Sequence, residues 1–266
     1  MLVALFVSLF PLSAMAYDGE SEAAVSEPTL RVLSYNIHHG AGTDGKLNLG
    51  RIADVIKSAN PDVVAVQEVD VKVPRSGKVD QAAELGRLTG MHVVFGKAIE
   101  LSGGAYGLAV LSNYPIKSTG KIMLPNIRGG EQRILFSAKI EPDNGLPEFT
   151  IVNTHFEYIQ ESIQIAQANT FIEQYGNTTP IILAGDLNAT PESQTLDVLK
   201  QKLADSTSGI TEGTILEHGK IDYVLHGSND SWRVIDAQVI MNDIASDHRP
   251  VLTILGWEEQ KLRPRR

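Results

Sequence analysis

Residues 29–70 read TLRVLSYNIHHGAGTDGKLNLGRIADVIKSANPDVVAVQEVD, and their pattern decides the class of fold. Leu30 to Tyr35 and Val63 to Val69 are short runs rich in apolar and β-branched residues, the composition of buried strands. Between them Ile52, Val55, Ile56 and Ala59 recur at i, i+3, i+4 and i+7, which puts one apolar stripe on a helix. Asn48 supplies its N-cap and Pro61 lies just past its end. Polar residues gather where each strand stops: Ser34-Tyr35-Asn36 after the first, Gln67-Glu68-Val69-Asp70 after the second.

Outward from this stretch the same alternation continues. Further strands are expected at Met91 to Phe95, Leu108 to Leu111, Ile134 to Ile140, Phe149 to Asn153, Ile181 to Ala184, Ile221 to Leu225, Val234 to Ile240 and Val251 to Leu255, about ten in all. Helices are expected over Val79 to Thr89, which stops at Gly90, and over Ile159 to Tyr175. A further one opens at Thr190-Pro191 and carries Leu196, Leu199 and Leu203. No repeat or linker divides residues 29–257, which favours one α/β domain.

With 266 residues, 42% hydrophobic and 21% charged, the chain is long enough to bury a sizeable core. It has no cysteine, which excludes disulfides, thiolate metal sites and a thiol nucleophile. The formal net charge is −9, with 32 acidic against 23 basic residues, and no basic cluster exceeds the terminal Arg263-Pro264-Arg265-Arg266. A broad cationic footprint for duplex DNA is therefore missing from the composition. Met1 to Ala16, MLVALFVSLFPLSAMA, reads as a signal peptide closing on Ala14-Met15-Ala16, although its start lacks the usual Lys or Arg. It is too short for a membrane span and is broken by Pro11. The expected product is secreted or periplasmic, with an acidic tether over residues 17–28, the domain over 29–257 and a charged tail over 258–266.

Five strand ends carry the polar residues that chemistry needs. Besides the two quoted, they are Asn153-Thr154-His155, Gly185-Asp186-Leu187-Asn188 and, ahead of a strand, Ser246-Asp247-His248-Arg249-Pro250. Singly each has a plain structural reading: Asn36 as a turn cap, Glu68 in a surface ion pair, Asp186 and Asn188 in an Asx turn, His155 as a bonded core residue. Jointly Asn36, Glu68, Asp186 and Asp247 are hard oxygen donors accompanied by two imidazoles, His155 and His248. Such donors suit Mg²⁺, Mn²⁺ or Ca²⁺ rather than zinc.

The ordered motifs SYNIHHG, QEVD, YGLAVLS, NTHFEY, GDLNATP, KIDYVL and SDHRPV resemble those of the endonuclease/exonuclease/phosphatase superfamily over almost the whole chain after residue 16. The resemblance implies a four-layer α/β sandwich, two packed and mostly antiparallel β-sheets flanked by helices, with the site at one end. It further implies Glu68 as the principal carboxylate ligand of the metal with Asn36 beside it, and Asp247 as a second metal or water ligand. Asp186 resembles the carboxylate that positions or deprotonates the attacking water, and Asn188 an amide donor to the phosphoryl oxygen. Asp222 resembles the partner that orients His248, and His155 the other histidine facing phosphate. Tyr106 reads either as a phosphate contact or as a strand start, and Arg133 either as a residue near the site or as a surface salt bridge. His38 and His39, adjacent on an extended strand, would point to opposite faces and form no two-histidine clamp. His92, His218 and His226 belong to no motif.

The resemblance implies a divalent-metal-dependent phosphoester hydrolase, acting as a monomer with Mg²⁺, or Mn²⁺ or Ca²⁺, as cofactor. Inositol 5-phosphatases are disfavoured by the absence of a Trp-Cys-Asp-Arg stretch, and membrane-binding sphingomyelinases by an aromatic content of only 6%. The favoured substrate is a small or lipid-derived phosphoester rather than nucleic acid. A secreted nuclease is the alternative within the enzymes, and a non-catalytic binding module on the same scaffold is the alternative outside them. A complete ligand set speaks for the enzyme.

Overall fold

The computed structural model describes residues 27–216 and 219–258. The expected leader, the tether up to residue 26, the tail from residue 259 and His218 lie outside the described residues.

In chain order the elements are β1 (Thr29–Asn36), α1 (Leu49–Ala59), β2 (Val63–Val71), α2 (Gln81–Thr89), β3 (His92–Leu101), β4 (Gly104–Ser112), β5 (Ile116–Met123) and β6 (Ile134–Ile140). There follow β7 (Phe149–His155), α3 (Glu161–Tyr175), β8 (Ile181–Asp186), α4 (Gln194–Leu199), β9 (Leu203–Asp205), β10 (Asp222–Gly227), β11 (Trp232–Val239) and β12 (Val251–Trp257). They build two six-stranded sheets, ordered β11-β12-β1-β2-β4-β3 and β5-β6-β7-β8-β10-β9.

Each sheet is antiparallel except for one central parallel pair, β1 with β2 in the first and β7 with β8 in the second. Parallel neighbours cannot be joined by a tight turn, and here each pair is connected through a helix, α1 or α3. The strand period of two then sorts the side chains. Leu30 and Val32 of β1 enter the core between the sheets with Phe136, Phe149, Ile151 and Ile182. Leu33 and Tyr35 point the other way and pack with Ile52, Ile56 and Leu85 beneath α1 and α2. On the far side Val152, Leu183 and Tyr223 meet Phe171, Leu196 and Leu199 of α3 and α4. The central strands are covered on both faces, which is why they read as unbroken apolar runs. Helix, sheet, sheet and helix make the expected four-layer sandwich. Among the described residues no helix is long and apolar enough to cross a membrane.

Two of the twelve strands escape the sequence reading. β5, IKSTGKIM, lies at a sheet edge with most of its residues exposed or half-exposed, so no apolar run announces it. β9 has only three residues, and it claims Leu203, which the sequence reading gave to a helix. That helix also starts later than expected. Ser193, not Thr190, caps α4 by accepting from the Leu196 N–H, while the Thr190 carbonyl accepts from Ser193 N–H in a turn that Pro191 helps form. The other expected caps are observed: Asn48 accepts from Arg51 N–H, and Gly90 closes α2 in the left-handed region.

β1 and β12 are neighbours, with Thr29 opposite Gly256 and Ser34 opposite Val251. The first and last strands of the described residues therefore lie side by side.

Candidate active site

Parallel strands of one pair end at the same edge of their sheet, and the two sheets are packed so that both such edges coincide. Asn36 closes β1, His155 closes β7 and Asp186 closes β8; Asp222 opens β10 directly opposite Asp186, and Asp247 and His248 immediately precede β12. Glu68 is delivered differently. The β2–β4 register slips between Val66 and Val69, and within this bulge Glu68 adopts a φ of 59°. A bulge re-aims a side chain that the plain pleat would send elsewhere. Left-handed backbone recurs at Asn188, His38 and His39, with φ of 48°, 45° and 44°. Each such non-glycine residue costs about 1–3 kcal/mol, and such costs cluster where function requires the geometry.

Below the site, the amide of Asn153 on β7 donates to the carbonyls of Val66 and Ala109 and accepts from Gln67 at 2.8 Å. This fully buried link ties the second sheet to the first under the Glu68 bulge. Gly185 makes a second close approach, since a Cβ there would lie 2.0 Å from the Thr154 carbonyl oxygen.

At the cleft floor the Asn36 amide nitrogen donates to Glu68 Oε1 and to Asp186 Oδ2, each at 3.1 Å. The Nε2 atoms of His155 and His248 stand 3.4 and 3.7 Å from the same Asp186 oxygen. His248 Nδ1 is 2.9 Å from Asp222 Oδ2, a hydrogen bond that fixes the ring and aims Nε2 into the cleft. Asp186 Oδ1 accepts from Asn188 N–H, and the Asn188 side chain donates to the Phe156 carbonyl at 3.0 Å. Ser246 donates to the Asn36 carbonyl at 2.8 Å, anchoring the segment that carries Asp247 and His248. The structure thus brings Asn36, Glu68, His155, Asp186, Asn188, Asp222, Asp247 and His248 to one edge. Glu68, His155, Asp186, Asn188, Asp247 and His248 line a cleft of about 400 Å³.

Burial and charge set the protonation states. Burial, reinforced by the facing Asp222, pushes the Asp186 carboxyl up to about 7, against the pull of His248 and Asn36. Burial opposes charging His248, yet Asp222 and then Asp186 outweigh it and hold the imidazole at about 10, so the ring is a cation at neutral pH. His155 is pushed well below its ordinary value by burial and by Arg133, and is neutral. Glu68 resists its own burial: His39, His155 and Asn36 keep its carboxyl well below the usual range. If Asp222 orients His248, Asp222→Asn should lower kcat on the order of 10- to 100-fold with a much smaller change in KM, read from steady-state rates.

The donor chemistry fits a divalent cation. Glu68 is ionised and partly open to the cleft, and the half-exposed Asp247 lines the same cleft. Asn36 turns its nitrogen to the carboxylates while its oxygen accepts from His38 N–H at 3.1 Å, so ligation by Asn36 calls for the amide to turn over. Asp186, Asp222 and His248 also converge within 4.8 Å, but there the imidazolium already supplies the positive charge.

One reading needs correction, and the alternatives left open for Arg133 and Tyr106 can be decided by position. His38 and His39 are not on a strand: a 3₁₀ turn over His38–Gly40 folds both rings toward the acids, with His39 Nδ1 4.0 Å from Glu68 and His38 Nδ1 3.8 Å from Asp247. Arg133 is no surface residue; it is 5% exposed, pairs with Glu131 at 2.7 Å and lines the cleft. Tyr106 lies within β4 and also forms cleft wall. His226 is a core residue bonded to Ser206, and His92 is exposed on β3. Arg75 belongs to no motif in the sequence, yet it reaches the site. It lines the cleft, stacks 5.4 Å above the Tyr106 ring, and is gripped by both oxygens of the fully buried Asp70 at 2.8 and 2.9 Å. The signal available was Asp70 itself, an acid inside an apolar strand that must find a cation nearby.

Carboxylates, amides and imidazoles thus meet at one edge of two packed sheets, the groups that phosphoester hydrolysis calls on. The chain belongs to the endonuclease/exonuclease/phosphatase family, whose profile matches residues 33–248. Among solved structures it is similar to an endonuclease/exonuclease/phosphatase from Beutenbergia cavernae, with 26% identity over 88% of this chain and 73% of that one and a TM-score of 0.76. The fold is shared with a mannosyl-6-phosphatase from Bacteroides thetaiotaomicron at 19% identity, covering 86% of this chain and 100% of that one with a TM-score of 0.66. It is also shared with the human Nocturnin catalytic domain bearing a sulfate anion, at 19% identity, 87% and 94% coverage and a TM-score of 0.66. No curated protein matches the sequence.

Proposed function

We propose that the chain is a divalent-metal-dependent hydrolase of small or lipid-derived phosphoesters. One observation carries the proposal: a single oxygen of Asp186 is surrounded by the Asn36 amide and the Nε2 atoms of His155 and His248, at 3.1, 3.4 and 3.7 Å. A carboxyl raised to about 7 beside an imidazolium kept charged by Asp222 sets a proton acceptor next to a cation that can face phosphoryl oxygen.

In this reading the substrate phosphoryl group lies over the cleft floor with its non-bridging oxygens toward His248 Nε2 and His155. Asp186 accepts a proton from water as the water oxygen bonds to phosphorus; the P–O bond to the leaving group breaks, and the departing oxygen takes a proton from solvent. Asp222 keeps His248 charged and in place while this happens, and Asn188 has one amide N–H beyond that given to Phe156 for a phosphoryl oxygen. Glu68 and Asp247, joined by Asn36 where its amide turns over, would hold the cation, which when bound neutralises phosphoryl charge where it gathers in the transition state.

A cleft of about 400 Å³ with Arg75 and Arg133 in its walls suits a compact anionic ester. The excess of acidic residues disfavours tight duplex binding. The mannosyl-6-phosphatase relative is consistent with a small substrate. The test is a screen of the metal-stripped chain, with and without Mg²⁺, Mn²⁺ or Ca²⁺, against bis-p-nitrophenyl phosphate, p-nitrophenyl phosphate, sphingomyelin, RNA and plasmid DNA at about 0.15 M salt. Metal-dependent release from a small ester, abolished by EDTA, is expected. Undiminished rates in EDTA would overturn metal dependence, and plasmid nicking faster than small-ester cleavage would make the enzyme a nuclease.

A further inference from the structure

The segment between β1 and α1 holds a feature that the acid–base cluster does not use. His38 and His39 are consecutive residues that both occupy the left-handed region, and that is what turns their rings to the same side, 4.5 Å apart between centroids. The arrangement is pinned from two sides, and one of the pins is itself anchored. Asn36 Oδ1 accepts from His38 N–H at 3.1 Å, Gln81 Nε2 donates to the His39 carbonyl at 2.7 Å, and Gln81 Oε1 accepts from Asp70 N–H at 2.9 Å. Gly40 follows with a φ of 76°, and a Cβ there would press on Leu49 at 3.0 Å and on Gln81 at 3.1 Å, so the chain leaves the turn by the route only glycine allows.

The Nδ1 atoms of both rings are buried and have no hydrogen-bond partner among the described residues. Buried ring nitrogens ordinarily have one. What they face is acid: Glu68 Oε2 lies 4.0 Å from His39 Nδ1, and Asp247 Oδ1 lies 3.8 Å from His38 Nδ1. His38, His39 and Glu68 each offer one ligand atom, all within 4.8 Å of one another. Donors about 2.1 Å from one ion stand about 3–4 Å apart, so the three need only a small inward shift to share it. Glu68 can serve without leaving the catalytic cluster, because Oε1 meets Asn36 while Oε2 faces the histidines.

We propose that His38 and His39 join Glu68 through their Nδ1 atoms to hold one divalent transition-metal ion, with Asp247 as the adjacent oxygen donor. This deepens the metal-dependent reading above and rests on it. Two imidazoles beside carboxylate oxygen suit Mn²⁺ or Zn²⁺, whereas Mg²⁺ takes oxygen and water. The site therefore selects a transition metal over Mg²⁺.

The experiment is calorimetric titration of the metal-stripped full chain with Mn²⁺ and with Mg²⁺, together with pulsed electron paramagnetic resonance of the Mn²⁺ form to detect ¹⁴N of coordinated imidazole. The wild-type chain should bind Mn²⁺ more tightly than Mg²⁺ and show ¹⁴N modulation. His38→Ala and His39→Ala should each weaken Mn²⁺ by on the order of 10- to 100-fold, with a much smaller effect on Mg²⁺ and a weaker ¹⁴N signal. Wild-type-like Mn²⁺ affinity in both variants, with loss of binding in Glu68→Gln, would overturn the histidine site and leave the metal-dependent reading standing. Failure of the wild-type chain to bind either ion would overturn both. Should either alanine variant unfold, absence of ¹⁴N modulation in the wild-type chain overturns the proposal alone.

Discussion

Asp186→Asn is expected to lower turnover on any accepted phosphoester by on the order of 10³-fold, while the metal-free protein melts at the same temperature or higher. The two halves of this expectation share one cause. Asp186 sits directly across the β8–β10 ladder from Asp222, and like charges directly opposite on antiparallel strands repel. Burial and that neighbour raise the Asp186 carboxyl to about 7, so the folded chain holds this proton more tightly than the unfolded chain does. The stabilisation belonging to the protonated form is present below the ordinary aspartate range and lost as pH rises through about 7. At pH 8 the native carboxylate is a net cost that the amide lacks. Each kcal/mol relieved should raise the melting point by roughly 2–4 °C. Rates and calorimetric scans at pH 8 on the same preparation check it. A variant that keeps most of its rate would remove Asp186 from the chemistry, and one that melts several degrees lower would show that its charge is compensated in the fold.

Gly185→Ala should cost stability and activity together. Its Cβ would stand 2.0 Å from the Thr154 carbonyl oxygen and 2.9 Å from the carbonyl carbon, and both belong to the backbone of β7, which cannot swing aside as a side-chain tip can. The remaining escape is separation of β7 from β8, at about 3 kcal/mol by the usual cost of overpacking. That separation parts His155 from Asp186, now 3.4 Å apart. Urea unfolding and rate measurements would read both effects. Gly209→Ala is the control, since a Cβ there meets nothing within 4 Å and should change neither.

The parts of this molecule legible in the sequence are those where local pattern and tertiary role agree. β1, α1 and β2 were readable because strands covered on both faces become unbroken apolar runs and the helix between them shows one stripe. The residues at their ends stood out because polar groups at the tip of an apolar strand need a reason to be there. The exceptions each depend on something no short window contains. β5 is polar because it is an edge. The Gln67–Asn153 link joins residues 86 apart in sequence, so neither amide signals its partner. Arg75 reads as an ordinary loop cation until Asp70 is seen to be fully buried beneath it. His38 and His39 turn on a backbone choice, two successive left-handed residues, that the string HHG does not display. The aimed carboxylate of Glu68 likewise depends on a bulge in register rather than on composition.

The pairing of β1 with β12 has a practical consequence for orientation. Asn36 ends β1 at the cleft, whereas Thr29, seven residues earlier and beside Gly256, lies roughly 23 Å away at about 3.3 Å per residue. Residues 27 and 258 therefore leave the sandwich close together, on the rim opposite the cleft. A fusion partner, surface linkage or affinity handle joined at either point would turn the open mouth outward, toward the surrounding solution. A short peptide bridging those two points could join the ends without crossing the path by which an ester reaches Asp186.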